Sequence, residues 1–240
     1  MGRLGRWFGN GAEGILDLLI TLLCVLISLT IHEFAHGYMA YLRGDKTAKY
    51  TGRLSLNPIH HIDPIGAICL FLFGFGWAKP VMVNPSNFQR KTIKLDMVLT
   101  SIAGPLANFI LAFVSVFLMM TVAMFTDGFL VEGGEIMYYS DIVGKYSLLV
   151  IRILSTLTMM NLGLGLFNLI PVPPLDGSKV LSAVLPTRIY FKMMEYERFG
   201  FIALIILINL PIFNLLLNAL VNAVWGGFIG LSSLILGIFV

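Results

Sequence analysis

The chain has 240 residues, 58% of them hydrophobic and 12% charged, and its mean hydropathy is +0.88. Those values exceed soluble averages and make an integral-membrane protein the default class. The formal charge of +3 comes from short loop clusters, and no Lys/Arg run could neutralise successive phosphates, so a nucleic-acid partner is excluded.

A spanning helix needs about 20 apolar residues. Arg3 and Arg6 precede a mostly apolar run from Ile15 to Ile31, a pattern shared with secretory signal peptides. Cleavage there would discard or orphan the ionisable residues that follow, so the run is read as a retained first membrane helix over residues 13 to 42. Further spans are expected over 95 to 125, 147 to 170, 199 to 217 and 219 to 240, the last two divided by Asn218, Asn222, Gly226 and Gly227. The expected fold is an all-α polytopic membrane protein with about five transmembrane helices, read as one domain over 1–240 with a core at 13–185. The run from Ile65 to Ala78 has 14 residues between Pro64 and Pro80, broken by Gly66, Gly74 and Gly76. It is too short to cross and is expected to be a re-entrant or hairpin segment, whose backbone must be satisfied by protein or water. Cys24 and Cys69 both lie in apolar stretches and read as small packed hydrophobes.

Loop charge orients the chain. Arg43, Lys46, Lys49 and Arg53 follow the first helix, and Arg90, Lys91 and Lys94 precede the second, which marks the cytoplasmic side. The next loop, with Asp127, Glu132, Glu135 and Asp141, faces outward, and Lys179, Arg188, Lys192 and Arg198 mark a return. Arg3 and Arg6 dissent from this arrangement.

The chemistry is concentrated in His32-Glu33-Phe34-Ala35-His36, an H-E-x-x-H motif directly after the apolar run. Residues four apart on a helix are separated by about 40° around its axis, so both imidazoles can reach one metal ion. Glu33 lies at the edge of the same face, where it can hold a water against that ion and act as a general base. Ionisable groups at membrane depth are costly, which argues against a merely structural triplet. A catalytic zinc needs a third protein ligand. Asp176 stands out, in Asn168-Leu169-Ile170-Pro171-Val172-Pro173-Pro174-Leu175-Asp176-Gly177: the prolines end the preceding span and fix a carboxylate in irregular backbone. An ordinary Pro-Asp-Gly turn is the competing reading of that loop. His60 and His61, in a loop on the same inferred side, are rival ligands.

With these two separated motifs the chain resembles the site-2 protease family of intramembrane zinc metalloproteases. Further matches are Leu56-Asn57-Pro58, His61-Ile62-Asp63-Pro64-x-Gly66, Trp77-Ala78-Lys79-Pro80-Val81 and Ala103-Gly104-Pro105-Leu106-Ala107-Asn108. The resemblance implies one Zn2+ per chain, ligated by His32, His36 and Asp176, with Glu33 as the catalytic residue. It implies that Asn108 and Asn168, with Pro171, hold substrate backbone, although interhelical hydrogen bonding is an equal reading of both asparagines. The chain also departs from the family pattern: many members carry a PDZ domain in an extracytoplasmic loop or a CBS pair at the carboxyl end, but here the loop from 126 to 146 is too short and the chain ends in apolar residues, so the minimal, membrane-only form is expected. The substrate would be a transmembrane protein or a remnant signal peptide in the cell membrane, cleaved within or near its membrane segment.

From Gly14, His32 lies 18 residues on, about 27 Å at 1.5 Å per residue, which sets the site near the cytoplasmic boundary of a core about 30 Å thick. A multipass metal-ion or proton transporter is the competing function, since a buried His/Glu/Asp path could carry ions, but such a path does not require H-E-x-x-H in that order. A proteolytically dead scaffold would require loss of one of the expected metal-site residues, and all are present.

Overall fold

The computed structural model describes residues 11–66, 69, 78–88, 92–125, 129–132, 135–138, 145–183, 185–186 and 197–237. Helix α1 runs Gly11–Leu42 and is followed by the single turn α2, Thr47–Tyr50. Helix α3 is Ile93–Phe125, a hairpin of β1 (Phe129–Glu132) and β2 (Glu135–Tyr138) follows, and α4 is Lys145–Asn168. A short α5, Asp176–Val180, precedes α6, Glu197–Asn209, and α7, Pro211–Gly237. Among the described residues, α1, α3, most of α4 and α7 are long and apolar enough to cross a membrane. The molecule is a helical, multi-pass membrane protein.

The C-terminal division differs from the sequence expectation. One helix runs unbroken through Asn218, Asn222, Gly226 and Gly227, and the chain breaks at Leu210–Pro211 instead. Pro211 fits the first position of a new helix, where its missing N–H would have no partner in any case, and Gly is common inside membrane helices. Asn214 Nδ2 donates to the Ile208 carbonyl at 2.8 Å, taking up an acceptor that the break leaves over. The 13 described residues of α6 rise only about 20 Å, short of the ~30 Å core.

Most of the predicted re-entrant segment, 65 to 78, lies outside the described residues. Its two ends are nonetheless joined. Ile62 bridges Ala78 in antiparallel fashion, and Lys79 N–H donates to the His61 carbonyl at 2.8 Å, so the chain returns to the point it left. Arg3 and Arg6 also lie outside the described residues. The loop after α3 carries the antiparallel pairs Phe129 with Tyr138 and Glu132 with Glu135, a hairpin that its acidic composition does not announce.

Helix α3 is central, packing against α1, α4 and α7. The bundle is layered along its length. At one end Val116, Met119, Met120, Ala123, Ile151 and Ile229 form an apolar cluster from α3, α4 and α7. Next, Ile20, Cys24 and Leu157 join α1 to α4, with Leu111 of α3 against them. Cys24 therefore packs as its apolar context predicts, its Sγ 3.6 Å from the Ile153 carbonyl. A buried polar layer of Ser28, Asn108 and Asn161 follows, and beyond it lie His32 and His36.

Two ionic anchors hold the end of the bundle nearest His36. The Arg43 Nε donates to Asp96 Oδ1 at 2.5 Å, tying the end of α1 to the start of α3. Asp45 is fully buried and accepts from Thr47 N–H at 3.0 Å, Asn84 N–H at 2.7 Å and Asn87 Nδ2 at 2.7 Å. It fixes the irregular segment 78–88 against α1. Burial pushes the Asp45 carboxyl up, but hydrogen bonds from Asn87, Thr47 and the Asn84 amide outweigh it and hold the group below the usual carboxylate range.

Candidate metal centre

His32 and His36 occupy consecutive turns of α1, and their rings meet edge to face with centroids 4.6 Å apart. Asp176 opens α5 and approaches from the other side of the chain. Its Oδ2 lies 3.2 Å from His32 Nε2 and 3.0 Å from His36 Nε2, and the two Nε2 atoms are 3.0 Å apart. All three residues are buried, at 4%, 8% and 7% exposure.

The inner faces of the imidazoles are fixed by what their outer faces do. His32 Nδ1–H donates to Asn108 Oδ1 at 2.5 Å, and His36 Nδ1–H donates to the Thr100 carbonyl at 2.7 Å. With both protons on Nδ1, both Nε2 atoms present lone pairs. Three acceptors, two nitrogens and a carboxylate oxygen, then face one another at hydrogen-bond distance with no hydrogen among them. A cation resolves that repulsion. Zinc bound tetrahedrally at 2.0–2.2 Å sets its ligands about 3.3 Å apart, close to the separations seen. Among the described residues this is the one group of three His, Cys, Asp or Glu side chains whose donor atoms converge, all within 4.8 Å. The donor set fits zinc.

The Asp176 carboxyl must be ionised to ligate a metal. Lys179 Nζ stands 3.4 Å from its other oxygen, Oδ1.

Two glycines make the approach of these elements possible. A Cβ at Gly104 would lie 2.6 Å from His36 Cε1 and 2.7 Å from His32 Cε1, so α3 can come this near the imidazoles only with glycine there. A Cβ at Gly177 would lie 2.6 Å from the Ile170 carbonyl oxygen. Gly177 is needed for that close approach to the end of α4, not for the sharp turn that a Pro-Asp-Gly sequence implies.

Glu33 is half-buried, and its Oε2 accepts from Val81 N–H at 2.9 Å. Val81 follows Pro80 just after the predicted re-entrant segment, so the returning chain grips the carboxylate next to His32. Asn108 is fully buried: Oδ1 takes the His32 proton, and Nδ2 donates to Asn161 Oδ1 at 2.6 Å and to the Ser28 carbonyl at 3.3 Å. Its amide is thus engaged between helices. Asn168 Nδ2 donates back to the Leu164 carbonyl at 3.0 Å, and Pro171 is exposed in the loop that leads to Asp176. The rival ligands stand apart: His60 Nδ1 is 2.8 Å from the Gly52 carbonyl, and His61 Nε2 is 2.7 Å from that of Ser55. Neither joins the converging set.

Thr100, Gly104, Val81 and Asn161 join the site only through the packing of the helices and the returning segment. Asn161 and Gly104 carried a signal, since each is a polar or small residue inside an apolar span, but which side chain it would face depends on helix packing.

A multi-pass helical membrane protein with a buried His/His/Asp donor set and a glutamate beside the first histidine belongs to the metalloproteases. The family model for peptidase family M50 matches residues 20–210, and the chain belongs to that family. It is 40% identical over 206 residues to a Bacillus subtilis protein named "Putative zinc metalloprotease YwhC", covering 86% of each chain. It is 26% identical over 194 residues to the Mycolicibacterium smegmatis protein "Putative zinc metalloprotease Rip2", covering 79% of this chain and 66% of that one. Similarity at 26% identity over 169 residues extends to "Zinc metalloprotease MJ0392" of Methanocaldococcus jannaschii, over 70% of this chain and 35% of the relative. No solved structure matches. The chain is a zinc metalloprotease of the membrane.

Proposed function

We propose that the protein is an intramembrane endopeptidase in which His32, His36 and Asp176 ligate zinc and Glu33 is the general base. The observation that carries this reading is the convergence of three acceptor atoms within 4.8 Å, buried between apolar helices. Bound there, zinc would supply Lewis acidity to polarise a peptide carbonyl and to acidify the attacking water. The chain's own groups orient and move protons. Asn108 and the Thr100 carbonyl hold the imidazoles with their lone pairs inward. Glu33, oriented through Oε2 by Val81 N–H, takes the proton of the attacking water and returns it to the leaving amine.

The substrate in this reading is a membrane protein segment or a remnant signal peptide. Ligands at 4–8% exposure among four long apolar helices are reached from within the bilayer more readily than by a soluble chain. A transmembrane helix keeps its carbonyls in internal hydrogen bonds, so the segment must unwind locally before attack. Asn168 and Pro171, between α4 and the Asp176 loop, are the proposed contacts for that extended backbone. The cleaved bond lies toward the cytoplasmic side, as the loop charges and the depth of His32 imply.

Glu33→Gln tests the assignment in purified protein with a membrane-embedded substrate. The variant is expected to retain zinc and lose cleavage by about 10²- to 10⁴-fold. Cleavage at the wild-type rate would overturn it.

A further inference from the structure

We propose that Asn161, which is remote from the donor set, is a positioning residue for the metal centre: it fixes the amide orientation of Asn108 and through it the tautomer of His32. The inference rests on the reading of His32 as a zinc ligand and deepens it.

The hydrogen bonds run in one direction. Ser28 Oγ donates to the Cys24 carbonyl at 2.7 Å. Asn161 Nδ2 donates to Ser28 Oγ at 2.8 Å and to the Leu157 carbonyl at 2.7 Å, which uses both its protons. Its Oδ1 therefore faces away and accepts from Asn108 Nδ2 at 2.6 Å. The second Asn108 proton goes to the Ser28 carbonyl at 3.3 Å. That leaves Asn108 Oδ1, and only Oδ1, for His32 Nδ1 at 2.5 Å. Ser28, Asn108 and Asn161 are 2%, 0% and 0% exposed, so water does not compete for these groups.

An amide side chain can turn over at almost no cost in shape, so nothing intrinsic to Asn108 decides which of its ends meets His32. The decision comes from the chain of partners. Turning Asn108 over would set its oxygen against Asn161 Oδ1 and the Ser28 carbonyl, two acceptors, and turning Asn161 as well would set its oxygen against the Leu157 carbonyl. Backbone carbonyls of Cys24, Ser28 and Leu157 cannot turn. They anchor the direction of the whole row. If Asn108 did present its NH2 to His32, the imidazole would accept at Nδ1 and carry its proton on Nε2, where it blocks the metal. Ser28 of α1, Asn108 of α3 and Asn161 of α4 thus act on the site from three helices, and groups that orient ligating histidines are worth about 10- to 100-fold in metal affinity.

The experiment is a double-mutant cycle on the full chain in detergent, read as zinc affinity by competition with a chelator. Asn161→Leu removes the acceptor that holds Asn108 and is expected to weaken zinc binding about 10- to 100-fold. In an Asn108→Leu background residue 108 has no amide for Asn161 to orient. There the same Asn161→Leu change is expected to shift affinity less than about 3-fold, an interaction on the scale such cycles resolve. An equal loss in both backgrounds, or no loss in either, would overturn the proposal, because Asn161 would then only pack or do nothing. Ser28→Ala, which withdraws one anchor from Asn161, repeats the cycle if Asn161→Leu fails to fold. His32→Ala is carried alongside. Undiminished zinc affinity in that variant would refute the ligand assignment itself, a result distinct from an equal loss in the cycle.

Discussion

Val81 N–H donates to Glu33 Oε2 at 2.9 Å across 48 residues of sequence. A backbone amide cannot change charge, and it moves only if the whole segment moves. Val81→Pro removes the donor while keeping an apolar residue. With Glu33 as the proposed general base, the expected result is a fall in kcat of about 10-fold or more with zinc content unchanged, since this bond holds Glu33 and none of the proposed ligands. Loss of zinc in step with activity would show that the segment supports the metal instead.

Asp176→Ala should abolish stoichiometric zinc binding, because two imidazoles alone fall short of the three protein ligands of a catalytic site. Metal analysis of protein purified without chelator measures this directly. Full occupancy in the variant would remove Asp176 from the donor set.

Gly104→Ala places a methyl 2.6 Å from His36 Cε1. Overpacking of that kind costs about 1–3 kcal/mol and must be relieved by moving either α3 or the rings. Zinc affinity should fall at least about 10-fold, with the helical content by circular dichroism retained. An unaltered affinity would mean that α3 yields without disturbing the imidazoles.

Asp45 predicts a pH dependence of stability. Its folded pKa lies below the unfolded value of 3.8, so its contribution is fully present above that value and is lost as pH falls through the folded pKa. The difference in unfolding free energy between wild type and Asp45→Asn should be about 2–3 kcal/mol at neutral pH and should shrink on acidification below pH ~4. Comparing the two proteins cancels contributions common to both, such as zinc release. A difference that stays constant with pH would remove the charge from the explanation.

How much of this was legible depends on whether the relevant neighbours are close in sequence. His32, Glu33 and His36 lie on consecutive helical turns, so spacing alone predicts that they share a face. Asp176 could be singled out because the prolines end a span just before a carboxylate, although the structure sets that carboxylate in the first turn of α5 and not in irregular backbone. By contrast, Thr100 holds His36 with its backbone carbonyl, a group that every residue possesses and no side chain announces. Asn161 reads as a routine polar residue in α4 until packing sets it against Asn108. The C-terminal break falls at Pro211, whose fixed φ suits the first position of a helix, and not at Asn218, Asn222, Gly226 and Gly227, which α7 carries internally.

His32 and Asp176 meet across 144 residues. During synthesis the first histidine pair enters the bilayer long before its carboxylate partner exists, and α3 and α4, which carry Thr100, Asn108 and Asn161, must arrive in between. No nascent fragment ending before Asp176 holds the full donor set. On the proposed ligand assignment the enzyme therefore stays chemically silent while it is being made, and metal capture reports that the bundle has been assembled.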